Sequence, residues 1–208
     1  MRHINEYIDD KVLNEGLLSW LKAFIKKLKG NQTKLVVDNG RVNMLDMDVK
    51  KLKYQKEPAK FRDLAKDKDT LEVWSNSKIG FPESFKIAKN INKYCTDLGE
   101  VKSDPYVYTF YYQSEATYYA GVLIYDNAVQ YIENYLHIIS LETNLVVDNP
   151  SEVQEAIFNE FKNIMNTRKM TIEGFTAKDD VHPKMKGIIT KLGFKPSDDN
   201  PEIYKVEK

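Results

Sequence analysis

Cysteine is nearly absent: Cys95 is the only one among 208 residues, so neither a disulfide framework nor a thiolate zinc cluster can be built. Charge of one sign is also missing. Lys+Arg and Asp+Glu each count 31, a formal net charge of zero, without the basic excess that marks a dedicated nucleic-acid binder. No apolar run approaches the roughly 20 residues that span a bilayer. The nine glycines never fall closer than six residues apart, as at Gly187 and Gly193. That spacing excludes the Rossmann fingerprint, the P-loop and the kinase lid, which need clustered glycines so that backbone N–H groups can approach phosphates. The nucleophile elbow G-x-S-x-G is missing. His3, His137 and His182 stand too far apart for metal-ligand spacing. No metal is expected, and no nucleic acid.

What is there begins with a division of charge. Residues 1–15 set Arg2 and Lys11 against Glu6, Asp9, Asp10 and Glu15, a net of −2. Residues 16–30 hold Lys22, Lys26, Lys27 and Lys29 without an acid, a net of +4. Within them Leu17, Leu21, Phe24, Ile25 and Leu28 recur at helical spacing. This cationic amphipathic helix suits a membrane surface or a partner, and equally a cap on the domain core. Asn39-Gly40 is the type I′ hairpin dipeptide, with Leu35–Val37 and Val42–Leu45 as arms. Residues 47–69, rich in lysine and aspartate, read as a solvated loop with a short helix. Leu71–Trp74 reads as a short strand, and Pro82-Glu83-Ser84 opens a helix running to Cys95.

Nine of the thirteen tyrosines lie between Tyr106 and Tyr135. Three strands are expected there: Tyr106–Gln113, Thr117–Tyr125 and Tyr131–Glu142, with half-buried tyrosine faces. Asn149-Pro150-Ser151-Glu152 is a helix start, with Asn149 as N-cap and Glu152 closing a capping box. Lys169–Ala177 reads as a strand, Pro183–Leu192 as a helix closed by Gly193, and Ile203–Val206 as a last strand. The fold class is α+β: a mixed, mainly antiparallel central sheet flanked by helices, with an N-terminal amphipathic helix and hairpin. Residues 31–208 are expected to form one domain.

The element order over residues 106–208, ending in HPKMKGIITKLGFKPSDDNPEIYKV, resembles the GNAT acyltransferase family. The resemblance covers about half the chain. It implies acetyl-CoA as cofactor, an amine substrate, and a fourth strand at Leu136–Glu142 whose splayed end receives the pantetheine arm. It also implies cofactor contacts from Leu141, Thr143, Ser151 and Gln154, with Glu142 as general base and His182 at the opening of the last helix as a second catalytic candidate. The chain departs from the family where the pyrophosphate should bind. In place of a Q/R-x-x-G-x-G/A loop stands Ser151-Glu152-Val153-Gln154-Glu155-Ala156, without glycine and with Asp148, Glu152 and Glu155 close by. Bare N–H groups at a helix start bind anions; carboxylates there repel them. The family's tyrosine acid corresponds to Ile189.

Residues 1–16 resemble the capsid-targeting leaders of tailed-phage internal head proteins. A prohead protease cuts such leaders after glutamate in a hydrophobic-x-Glu|Gly context, which Leu13-Asn14-Glu15|Gly16 matches. That resemblance implies processing between Glu15 and Gly16, phage capsid or scaffold as partner, and residence in the virion head or the host cytoplasm. The acidic N-terminus provides no secretory signal. The expected function is thus a phage-encoded, virion-packaged or host-acting protein with an acetyltransferase-like fold. An active acyl-CoA-dependent N-acetyltransferase and a non-catalytic interaction or membrane-surface module are the alternatives.

Overall fold

A computed structural model describes residues 35–90, 104–126, 135–167 and 193–196, together with residues 26, 97, 98, 101, 102, 174–176, 187, 190, 191, 198 and 203–206. The expected helix at 16–30 apart from residue 26, the Glu15–Gly16 junction, Cys95, His182 and nearly all of the expected 183–192 helix lie outside these residues.

The chain builds an α+β fold. A short hairpin, β1 (Val37–Asp38) and β2 (Arg41–Val42), precedes a 3-10 turn (Val49–Lys51). β3 (Leu52–Tyr54) and β4 (Ala59–Lys60) follow, then helices α1 (Phe61–Leu64), α2 (Lys68–Trp74) and α3 (Pro82–Lys89). β5 (Asp97–Leu98) and β6 (Val101–Lys102) pair with each other. Three long strands come next: β7 (Tyr106–Gln113), β8 (Thr117–Asp126) and β9 (Tyr135–Thr143). The 18-residue helix α4 (Pro150–Thr167), β10 (Gly174–Thr176), β11 (Phe194–Pro196) and β12 (Ile203–Val206) complete the order.

The main sheet runs β11-β12-β10-β9-β8-β7-β3, with β4 also on β7. Its pairings are antiparallel except β9–β10, which is parallel. Two apolar layers sandwich it. On one face α4 packs Val153, Ile157, Phe158 and Phe161 against Tyr108, Phe110 and Tyr125. On the other, Phe61, Trp74 and Phe81 of the α1–α3 region meet Val107, Tyr111 and Tyr119. Alternation along β7 deals successive residues to opposite faces, and since both faces are covered the run reads as almost continuously apolar. Tyr108, Tyr111, Tyr112, Tyr118, Tyr119 and Tyr125 are buried core residues, with Tyr108 fully buried, while Tyr106 stays part-buried.

Two bulges reset that alternation. At Ala120–Gly121 of β8 the pairing to β7 slips by one, so Phe110 opposes Gly121 and Tyr111 opposes Tyr119. An added Cβ on Gly121 would lie 2.4 Å from Ile157 Cδ1 of α4 and 2.9 Å from the Glu142 carbonyl oxygen. Only a residue without a side chain lets the helix approach this closely. In β9, Ile124 opposes Ser140 and Tyr125 opposes Ile138, leaving Ile139 as the extra residue. Counting by twos from Ile138, which faces α4, would put Glu142 on the α4 side. The bulge turns it to the α3 side.

Several expectations need correction. Leu71–Trp74 is the end of helix α2 rather than a strand. Its buried residues Thr70, Val73 and Trp74 are spaced i, i+3, i+4, a helical stripe that outweighs the β-propensity of Val and Trp. Residues 47–69 are not a solvated loop, because they contain the edge strands β3 and β4 and the buried Met47, Ala59, Phe61 and Leu64. Lysines on such a segment protect a sheet edge from further pairing. The capping box also differs. Asn149 uses its side chain on Met47, accepting from the backbone N–H (2.9 Å) and donating to the carbonyl (3.1 Å), while Glu152 accepts from the Asn149 amide group (3.0 Å). The hairpin turn is as expected: Asn39 (φ 46°) and Gly40 (φ 79°) are both left-handed. Gly193 (φ 85°) donates to the Thr190 carbonyl at 3.0 Å, and Phe194 beyond it is buried.

Candidate functional site

Among the described residues the parallel ladder between β9 and β10 comprises three pairs, from Gly174↔Tyr135 to Thr176↔His137. The ladder from β9 to β8 continues past it to Thr143. The site residues gather in the second half of β9, past the Ile139 bulge. Leu141 is a core residue opposite Leu123, and Thr143 opposes Gly121.

Glu142 has an unexpected setting. Helix α3 begins after Phe81 with Pro82 in its first turn, and Phe81 supplies no side-chain acceptor. The first amides of a helix need one. Glu142 provides it from the neighbouring strand: Oε1 accepts from Glu83 N (3.0 Å), and Oε2 from Ser84 N (2.7 Å) and Ser84 Oγ (2.8 Å). The carboxylate thus closes the positive end of α3. Burial raises its pKa above the ordinary carboxylate value; the three donors and their helix work against that shift, while the nearby Glu83 charge adds to it. A carboxylate offers about four acceptor positions, two per oxygen. Ser84 fills both on Oε2, which leaves Oε1 as the atom able to take a proton.

The link from β9 to α4, residues 144–149, shows where its backbone donors go. Asn144 N donates to Ala120 O (2.9 Å), Leu145 N to Gly80 O (3.4 Å) and Val147 N to Asn144 O (3.0 Å). Val146 N donates to Asn144 Oδ1 (3.1 Å) and Asp148 N to Leu45 O (2.8 Å). Asn144 is buried and acts as the linchpin of this turn. Five consecutive N–H groups are committed inside the protein, so none of them is offered to a phosphate. Ser151 is exposed and Gln154 half-buried on the first turns of α4, beside Glu152 and Glu155. Lys191 reaches Glu155 at 3.9 Å, a solvent-exposed pair.

The fold thus places Leu141, Glu142 and Thr143 at one end of β9, and Ser151 and Gln154 just beyond the link. Ser84 is the residue that sequence reasoning missed. The available signal was a helix start, Phe81-Pro82-Glu83-Ser84, with no Ser, Thr, Asp or Asn at the capping position, which requires an acceptor from elsewhere. Burial also raises the phenols of Tyr111 and Tyr119, so neither is a ready acid. Among the described residues no group of three or more His, Cys, Asp or Glu side chains could hold a metal, and no helix is long and apolar enough to cross a membrane. Comparison with protein-family models, curated proteins and solved structures found no match in any of the three.

Proposed function

We propose that the chain is a phage-encoded protein on a GNAT-like scaffold, packaged in the head or acting in the infected cell, that lacks the standard acetyl-CoA chemistry. The observation that carries the second half is the link 144–148, whose amides are all spent internally ahead of a helix start bearing Glu152 and Glu155. A pyrophosphate brought there meets the carboxylates of Glu152 and Glu155, and the link ahead of the helix has no amide to spare for it. The single parallel step at β9–β10, within an otherwise antiparallel sheet, supports the scaffold half of the reading. The phage assignment rests on the sequence at Leu13-Asn14-Glu15|Gly16. Mass spectrometry of purified virions whose genome encodes the chain tests it. A chain beginning at Gly16 is the expected result, and an intact chain confined to the infected-cell lysate overturns the packaging.

A second reading, an active N-acetyltransferase on an amine, is favoured by one observation. Glu142 stands near the end of β9 with raised basicity and one accepting position left on Oε1. In that case Oε1 would take the proton from the amine as its nitrogen attacks the thioester carbon of acetyl-CoA, the C–S bond breaking and CoA leaving as the thiolate. Acetyl transfer lost in Glu142→Gln, with the fold intact, is the result that would establish it. The cationic segment 16–30 supports a third, membrane-surface role, tested by whether a peptide of that sequence becomes helical on anionic vesicles.

A further inference from the structure

Along the β3 edge of the sheet a concavity opens, away from Glu142. It lies between the 3-10 turn with β3 and the exposed flank of α4, and has a volume of about 550 Å³. β7 and β8 separate β3 from β9, which puts it roughly 14 Å across the sheet from Glu142. The lining has two chemistries. Leu52, Phe110, Ala156 and Ile157 form an apolar base, with Phe110 and Ile157 fully buried and the Tyr54 ring 6.1 Å from that of Phe110. Lys50 and Lys53 are exposed lining residues, with Lys56 engaged elsewhere in the protein, and Glu160 is the single acid.

We propose that this cleft binds an amphipathic anion: an apolar or aromatic body seated on Leu52, Tyr54 and Ala156 above the buried Phe110 and Ile157, with a carboxylate, sulfonate or phosphate held by Lys50 and Lys53. The volume falls within the range of small-molecule sites, roughly 300 to 1,000 Å³. The walls are an edge strand and an 18-residue helix, so the shape is set by regular structure rather than by loops. The lysines repel a cationic ligand, so the amine substrate of an acetyltransferase does not belong here. Lysine beside an apolar cleft also has a use for its stem, which covers the ligand body while the ammonium reaches the anion.

The test is a fluorescence titration of the full chain at low salt with two dyes of the same ring system. Anilinonaphthalene sulfonate carries the anion, and its sulfonate-free parent, phenyl-naphthylamine, does not. Saturable binding of the sulfonate is expected, with the parent weaker. Lys50→Gln/Lys53→Gln, two surface changes, should weaken the sulfonate about tenfold and leave the parent unchanged. Ala156→Trp, which fills the cleft, should remove binding of both. Equal binding of the two dyes, an unchanged sulfonate affinity in the lysine variant, or no saturable binding each overturns the proposal.

Discussion

Removing the Glu142 carboxylate should destabilise the protein through a helix that is distant in sequence. In Glu142→Ala three donors lose their acceptor. Glu83 N–H is in an exposed setting and regains water, so its loss is small. Ser84 is fully buried, and its N–H and Oγ–H have no comparable access. A stranded buried donor costs about 1 to 3 kcal/mol, and loss of a helix N-cap about 1 kcal/mol. Against this, the variant no longer buries a carboxylate whose desolvation already raises its pKa. The net expectation is about 2 kcal/mol for Glu142→Ala and about 1 kcal/mol for Glu142→Gln, which keeps one acceptor oxygen. For a chain of this length 2 kcal/mol corresponds to roughly 4 to 8 °C in Tm. Urea unfolding at constant m is the assay. Ser84→Ala should cost less in the Glu142→Ala background than in the wild type, because the two share one interaction. A Glu142→Ala loss below about 0.5 kcal/mol, the scatter of ordinary surface changes, would show that Glu142 does not hold the start of α3.

Further expectations follow from the same geometry. Gly121→Ala places a methyl against Ile157 and the Glu142 carbonyl, and should cost about 1 to 3 kcal/mol in urea unfolding; Ile157→Val should recover part of it. Gly80→Ala sets its Cβ 2.4 Å from the carbonyl oxygens of Trp74 and Asn76, backbone atoms that cannot yield, so its yield of folded protein by circular dichroism should fall more sharply than that of Gly121→Ala. The raised pKa of Glu142 means that the folded state holds its proton to higher pH than the unfolded state. Its contribution to stability is therefore best below the ordinary carboxylate pKa and declines as pH rises through the raised value. Relative to Glu142→Gln, the wild type should lose stability across that window and run parallel above it, as read by urea midpoints at successive pH values.

The parts of the fold legible in the sequence are those fixed by local rules. Tyr106–Gln113 is one of the observed strands, and the left-handed Asn39-Gly40 turn needs only its own two residues. Helix α4 begins at Pro150 as the first-turn proline implies. Features set by partners far along the chain were not legible. Whether Lys53 belongs to a loop or an edge strand depends on β7, and Leu71–Trp74 is helical because of what it packs against. The site behaves the same way. Glu142 could be singled out at the end of its strand, but its face depends on the Ile139 bulge and its role depends on a helix almost sixty residues earlier (|i−j| of 58 and 59). The missing glycine loop was visible, whereas the internal use of the link amides could be found only once Asn144, Gly80 and Leu45 were seen around it.

The link between β9 and α4 has no amide to spare for a pyrophosphate, so acetyl-CoA should not bind. Calorimetric titration of the full chain with acetyl-CoA tests it most directly. No saturable heat is expected at millimolar cofactor, in the wild type and in Glu142→Gln alike. Stoichiometric binding of acetyl-CoA, weakened by substitutions in the 144–148 link, would contradict it.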